Sequence, residues 1–197
     1  MLNGNILFYV LGGIILILCL RVYYISENLQ LKCIISSVDG NKYCVRDRTK
    51  VKDAVNLLAE VVNKMKRLVD YVYKTYPDDP SVIKLKQNFN PNKITETLPT
   101  SELTAYSENK GEKMAFCLNK TKNTDTLIDL NTLTFVAIHE LSHTMTTSIG
   151  HKQEFWKNFK FLLENAVKIG IYKPVDYKKE NQSYCGMTIT DNPFYDI

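Results

Sequence analysis

Val136-Ala137-Ile138-His139-Glu140-Leu141-Ser142-His143 lies within residues 130–149, a stretch whose only charge is Glu140. At about 100° per residue in a helix, His139 and His143 stand about 40° apart on one face, one turn above the other. Their imidazoles can converge on a single ion, while Ala137, Ile138, Leu141 and Met145 form an apolar stripe facing the core. Asn131 is the expected N-cap, the helix is expected to run to about Ser148, and Ile149-Gly150 closes it. A helix so free of charge is not a solvated face, so burial is predicted, with the two histidines turned toward a cleft.

His151 is the only other histidine in the chain, so all three fall within thirteen residues. Zinc suits such a cluster, because a catalytic zinc takes three protein ligands and keeps one position open for water. A turn after Gly150 would fold His151 back as third ligand, with Glu154 or Glu164 as acidic alternatives. Glu140, next to the first ligand, is the candidate general base: zinc lowers the pKa of its water to about 7, and the carboxylate accepts the proton before attack on a peptide carbonyl. An oxyanion donor is also needed, and Tyr184 is the candidate by residue type, with Tyr172 and Tyr177 beside it. Phe155-Trp156 reads as core packing behind the site.

Outward from this centre, Val51, Ala54, Val55, Leu58, Val61, Val62, Met65, Leu68, Val69 and Val72 recur at steps of three and four. This predicts an amphipathic helix over 49–76, stopped by Pro77. Four prolines among polar residues make 77–101 a traversing loop, with a short helix near 82–89. Residues 103–107 and 113–118 flank Glu108-Asn109-Lys110-Gly111, a hairpin turn with glycine where positive φ is needed. A second amphipathic helix is expected over 152–169 as a backing helix, and the tail from Gly170 reads as loops wrapping the domain.

Residues 6–20 are fifteen positions without a charge. Extended past a snorkelling Arg21, they are expected to form a retained transmembrane anchor, a cleavable signal peptide being the competing reading. The expected organisation is an anchor at 1–25, a linker or stalk at 26–48, and one domain at 49–197. Basic residues after the span tilt the domain toward the cytosolic side. A net charge of +4, with both signs interspersed, argues against nucleic acid as a partner. Cys33, Cys44, Cys117 and Cys185 could form two disulfides or stay reduced.

Val136 to His143, followed by Gly150-His151-Lys152-Gln153-Glu154-Phe155-Trp156, resembles the zincin-like metallopeptidases of the WLM and SprT-like groups. A longer set, including Phe89-Asn90-Pro91, Tyr106-Ser107-Glu108-Asn109-Lys110-Gly111-Glu112-Lys113 and Tyr184-Cys185-Gly186, resembles metallopeptidase-like proteins of large nucleocytoplasmic DNA viruses. The resemblance implies an α+β zincin domain with a small antiparallel sheet, in which an edge strand at 113–118 runs beside the active-site helix and pairs with an extended substrate. Seven residues between His143 and His151 make a longer spacer than the WLM pattern. The combined expectation is a single-pass protein of a host-cell or virion membrane that uses Zn2+ to hydrolyse a protein or peptide substrate. The alternative is a membrane-anchored structural or binding protein, such as a virion-associated one, with a non-catalytic zinc site.

Overall fold

The computed structural model describes residues 4–29, 31–122 and 124–196. In chain order these form α1 (Gly4–Leu29), strands β1 (Leu31–Ile35) and β2 (Lys42–Arg46), α2 (Val51–Thr75) and α3 (Pro80–Asn88). Strands β3 (Ile94–Glu96), β4 (Ala105–Glu108) and β5 (Lys113–Phe116) follow, then α4 (Leu130–Met145), α5 (Gln153–Lys168), β6 (Gln182–Tyr184) and β7 (Met187–Ile189). The architecture is mixed α+β, with helices packed against small sheets.

The three-and-four spacing produces α2, a 25-residue helix whose Ala54, Val55, Leu58, Val61, Val62, Met65, Leu68, Val69 and Val72 are buried. Each buried Val, Leu or Met of this set contributes about 1.5–3 kcal/mol, so the stripe is the spine of the core. Against it lie α3, α4 and α5. Asp79 starts α3 by accepting from the N–H groups of Ser81 and Val82, with Pro80 in the first turn where its missing N–H costs nothing.

Several expectations are corrected. The three-stranded sheet is mixed, not antiparallel: its order is β3-β5-β4, with β3 parallel and β4 antiparallel to β5. The loop after β3 and the hairpin after β4 each reverse the chain, so β5 recovers the direction of β3 and slots between the other two. The edge strand beside the histidine helix is therefore β4, and the expected 113–118 strand is central. Asp129, not Asn131, caps α4 by accepting from Thr132 N–H. Asn131 instead exchanges two hydrogen bonds of 2.9 Å with the backbone of Lys173. The helix stops at Met145, short of Ser148. Hydroxyls of Ser142, Thr144 and Thr146 bond back to carbonyls four residues earlier, offering the backbone an alternative to continued helix.

The expected single-pass membrane localisation is also corrected: among the described residues no helix is long and apolar enough to cross a membrane. The run within α1 that lacks both charged and strongly polar side chains, residues 6–20, is fifteen residues. At about 1.5 Å per residue it covers about 22 Å of a hydrocarbon core about 30 Å thick, and Arg21 follows at once. The segment read as a stalk contains the β1–β2 hairpin, in which Cys33 and Cys44 face each other and are disulfide-bonded.

That hairpin is fastened to the domain by a buried ionic cluster. Glu96, at the end of β3, accepts from the backbone N–H of Arg46 at 2.7 Å and pairs with the guanidinium of Arg48. Arg46 donates to Thr97 O at 2.7 Å and to Thr97 Oγ1 at 3.0 Å. The Glu96 and Arg48 side chains are 0% and 2% exposed, so loss of one partner strands a buried charge. Glu96→Ala is expected to cost about 3–5 kcal/mol in urea unfolding, whereas Glu96→Leu combined with Arg48→Met recovers much of it.

Candidate metal centre

His139 and His143, four apart on α4, present their Nε2 atoms 3.2 Å from each other. His151 Nε2 lies 3.1 Å from each of them. Neighbouring corners of a tetrahedron with bonds of about 2.05 Å are about 3.3 Å apart, so the triad matches three corners of a zinc-type tetrahedron and leaves the fourth open. Phe155 is fully buried beneath all three rings, its centroid 4.9, 4.4 and 4.5 Å from those of His139, His143 and His151. Its bulk restricts imidazole rotation.

The third imidazole depends on the loop between α4 and α5, which must reverse within a few residues. Gly150 takes φ +77°, a conformation other residues adopt at a cost. Two lysines grip the loop carbonyls: Lys84 Nζ lies 3.0 Å from Thr146 O, and Lys110 Nζ lies 3.1 Å from Thr146 O and 2.8 Å from Ser148 O. Glu154 grips the N–H groups, accepting from Thr147 at 2.8 Å and Ser148 at 3.0 Å. Those two N–H donors hold the Glu154 carboxyl down to about 2. Trp156 Nε1 donates to His151 O at 3.1 Å.

Lys110 reaches the loop from the β4–β5 turn, where Asn109, Lys110 and Gly111 all have positive φ. A Cβ on Gly111 would stand 2.6 Å from Thr144 Cγ2, so only glycine lets this turn press against α4 beside His143.

Glu140 is 5% exposed and, with His139, lines both cavities flanking the triad. One cavity, of about 320 Å³, is bounded by Ala105, Phe135, Trp156 and the C-terminal hairpin. The other, of about 510 Å³, runs past Tyr106, Ser107, Lys110, His143 and His151. Strand β4 borders both halves, and among the described residues only β5 pairs with it.

Of the residues singled out in the sequence, His139, Glu140, His143 and His151 meet in one cleft. Glu154, weighed as a ligand, holds the loop. The Tyr184 hydroxyl, the expected oxyanion donor, donates to Thr104 O at 3.1 Å and is buried there. Tyr172 accepts from Asn192 Nδ2 at 3.0 Å, and Tyr177 packs on Phe135, both within the core. Phe155 is the expected backing residue, but Trp156 is 43% exposed. Sequence reasoning missed Lys84 and Lys110, which approach only through the fold. Glu154 had no local signal for this role either, since the N–H groups it accepts from, those of Thr147 and Ser148, lie across the loop and not in its own helix.

Residues 50–194 match the WLM domain. The chain belongs to the WLM domain family. Its metallopeptidase-like character agrees with a histidine triad beside a buried glutamate. Among relatives of this WLM protein, uncharacterized protein R325 of Acanthamoeba polyphaga mimivirus is 23% identical over 192 residues, 93% of this chain and 97% of that protein. Protein 136R of invertebrate iridescent virus 6 is 33% identical over 82 residues, 41% of this chain and 44% of that protein. Both bear out the likeness to proteins of large DNA viruses. The crystal structure of Wss1 from Saccharomyces cerevisiae aligns with a TM-score of 0.48 at 20% identity, covering 64% of this chain and 86% of that one.

The electrostatics of the WLM centre follow from burial. Desolvation, then the charges of His143 and His151, push His139 down to about 3. Desolvation, then His151 and Lys110, push His143 down to about 4. Burial alone pushes Glu140 up to about 8.

Below the unfolded histidine value of 6.5, the unfolded chain binds protons that native His139 and His143 refuse, so stability falls as pH drops. Glu140 acts oppositely: the native chain keeps its proton while the unfolded chain releases it from 4.5 upward, so stability falls as pH rises toward 8. Within this centre two histidines outweigh one glutamate below 6.5 and Glu140 acts alone above it, while Glu96, also raised by desolvation, adds to the alkaline fall from outside it. Urea midpoints of the metal-free protein should therefore peak near pH 6.5. Glu140→Gln should flatten the alkaline side, and an unchanged alkaline fall would contradict the assignment.

Proposed function

We propose that this WLM domain is a zinc-dependent peptidase in which His139, His143 and His151 hold the ion and Glu140 is the general base. The observation that carries the reading is three Nε2 atoms within 3.2 Å of one another, with Glu140 adjacent, where two cavities meet along an open strand edge. Three ring nitrogens converging on one point are poor chemistry for neutral imidazoles, since lone pairs face one another wherever no proton lies between them. They are good chemistry for a divalent cation. Bound zinc supplies Lewis acidity and a water acidified toward neutrality.

The remaining work falls to the chain. The free edge of β4 pairs with the main chain of an extended peptide, which positions one carbonyl across the triad. Glu140 takes the water proton and returns it to the leaving nitrogen, so that a neutral amine departs. The walls of the cleft exclude bulk water around Glu140, which strengthens its interaction with developing charge. Tyr184 fixes Thr104 and so the entry of β4. The substrate under this reading is a protein or peptide segment able to become extended.

Wild type and Glu140→Gln should each bind one zinc, and only wild type should cleave a casein or peptide pool, with turnover reduced about 10²–10⁴-fold or more in the variant. His139→Ala should lose both metal and cleavage. If wild type binds zinc and cleaves nothing, the peptidase reading fails and a structural zinc site replaces it. Glu154→Ala, which frees the loop, should weaken zinc about 10–100-fold in chelator competition, with Glu154→Gln intermediate because it retains one acceptor oxygen.

A further inference from the structure

The cavity of about 320 Å³ beside Glu140 is apolar on most of its surface: Phe135, Val136, Trp156, Phe159, Met187 and Ile189 line it. Its volume sits at the low end for ligand sites and suits a single large side chain. Asp191 also lines it, but its carboxylate is engaged by Lys178 Nζ at 3.1 Å, so no free charge faces an occupant from that wall.

The outer wall is the β6–β7 hairpin, and that wall is fixed. Cys185 is disulfide-bonded to Cys117 at the end of β5, and the N–H groups of Cys185 and Gly186 donate to Asn119 O and Lys120 O at 3.0 Å. A fixed apolar wall selects among side chains where a mobile one would accommodate them.

The position of this cavity along β4 tells which substrate residue enters it. Thr104 and Ala105, at the start of β4, border the apolar cavity, whereas Ser107, Asn109 and Lys110, at its end, border the other. A peptide added antiparallel, the stronger pairing per residue, runs from the Lys110 end toward the Thr104 end. Its residues after the scissile carbonyl therefore lie on the apolar side.

We infer that this cavity takes the side chain of the residue immediately C-terminal to the cleaved bond and selects a large aliphatic or aromatic one, so that products begin with Leu, Ile, Met or Phe. The inference rests on the peptidase reading and adds its substrate preference. Burying one such side chain, relative to glycine, favours it by about tenfold or more.

Two measurements on the full chain separate the two readings. Trp156, the single tryptophan, lines the cavity and reports its occupancy without turnover. Leu-Ala-Ala-amide should shift Trp156 emission in metal-free protein at concentrations about tenfold or more below Gly-Ala-Ala-amide. Equal responses would overturn the inference whatever the fate of catalysis.

In the second measurement, zinc-loaded protein digests a denatured proteome and the new amino termini are sequenced. Enrichment of large apolar residues at the first position of products supports the inference. Cleavage with enrichment on the other side of the bond, with basic residues, or with none overturns it and leaves the peptidase reading standing. Absence of cleavage overturns both. Thr188→Phe, an exposed position lining the cavity, should leave the thermal midpoint unchanged and shift the products toward Gly, Ala and Ser at their first position.

Discussion

Any helix can set two histidines four residues apart on one face; the third is where the structure carries its burden. His151 comes after the helix has ended, and without external support a short Ser/Thr-rich loop would sample many conformations. The grip of Lys84, Lys110 and Glu154 on the backbone of Thr146, Thr147 and Ser148 removes that freedom. Positive groups hold carbonyls and a negative group holds N–H donors, so every contact is a charge-assisted hydrogen bond, stronger than its neutral counterpart. The lysines arrive from α3 and from the β4–β5 turn, which means the sheet and two helices must already be in register before the triad can close.

A second consequence follows from how completely α4 is enclosed. Twelve of its residues are buried, including Glu140, Ser142 and Thr144, so the helix has no solvated face to carry charge. Its hydroxyls are satisfied by carbonyls of its own preceding turn. Glu140 receives no such help and keeps an elevated affinity for its proton. The same burial that destabilises an ionised Glu140 makes the carboxylate responsive to any nearby cation, because interactions between charges strengthen as water is removed. Core packing and site electrostatics are thus one feature of one helix.

Legibility in the sequence divided along the line between local and distant chemistry. The period of α2 is set by its own side chains, and the helix appeared within two residues of its expected ends. The histidine pair and the absence of charge around it were equally local, and His151 stood out because no other histidine exists. Sheet direction was not legible: β3 is three residues long, too short to show a pattern, and its parallel pairing depends on two chain reversals elsewhere. Asn131 resembled a cap as well as Asp129 did, and only the distant backbone of Lys173 decided between them. For the apolar run near the amino terminus, composition was plain but sufficient length was not. Tyr184 had the right chemical type for an oxyanion donor, yet a hydroxyl's partner is a three-dimensional fact, and Thr104 O is that partner.

The cleft is held open by two fastenings of different physical character. On the His151 side the loop is secured by lysine and glutamate side chains near the surface, contacts that salt and pH weaken. On the apolar side the wall is secured by the Cys117–Cys185 bond and by backbone hydrogen bonds to Asn119 and Lys120, contacts indifferent to ionic strength. The disulfide closes a separation of 68 residues, so in the chain-entropy picture it restricts the unfolded state over the whole of α4 and α5. It therefore stabilises the very elements that carry the triad while shaping the neighbouring cavity. The histidine triad and the apolar cavity thus sit side by side around Glu140, secured by contacts of different kinds and joined through Trp156, which lines the cavity and donates to His151 O.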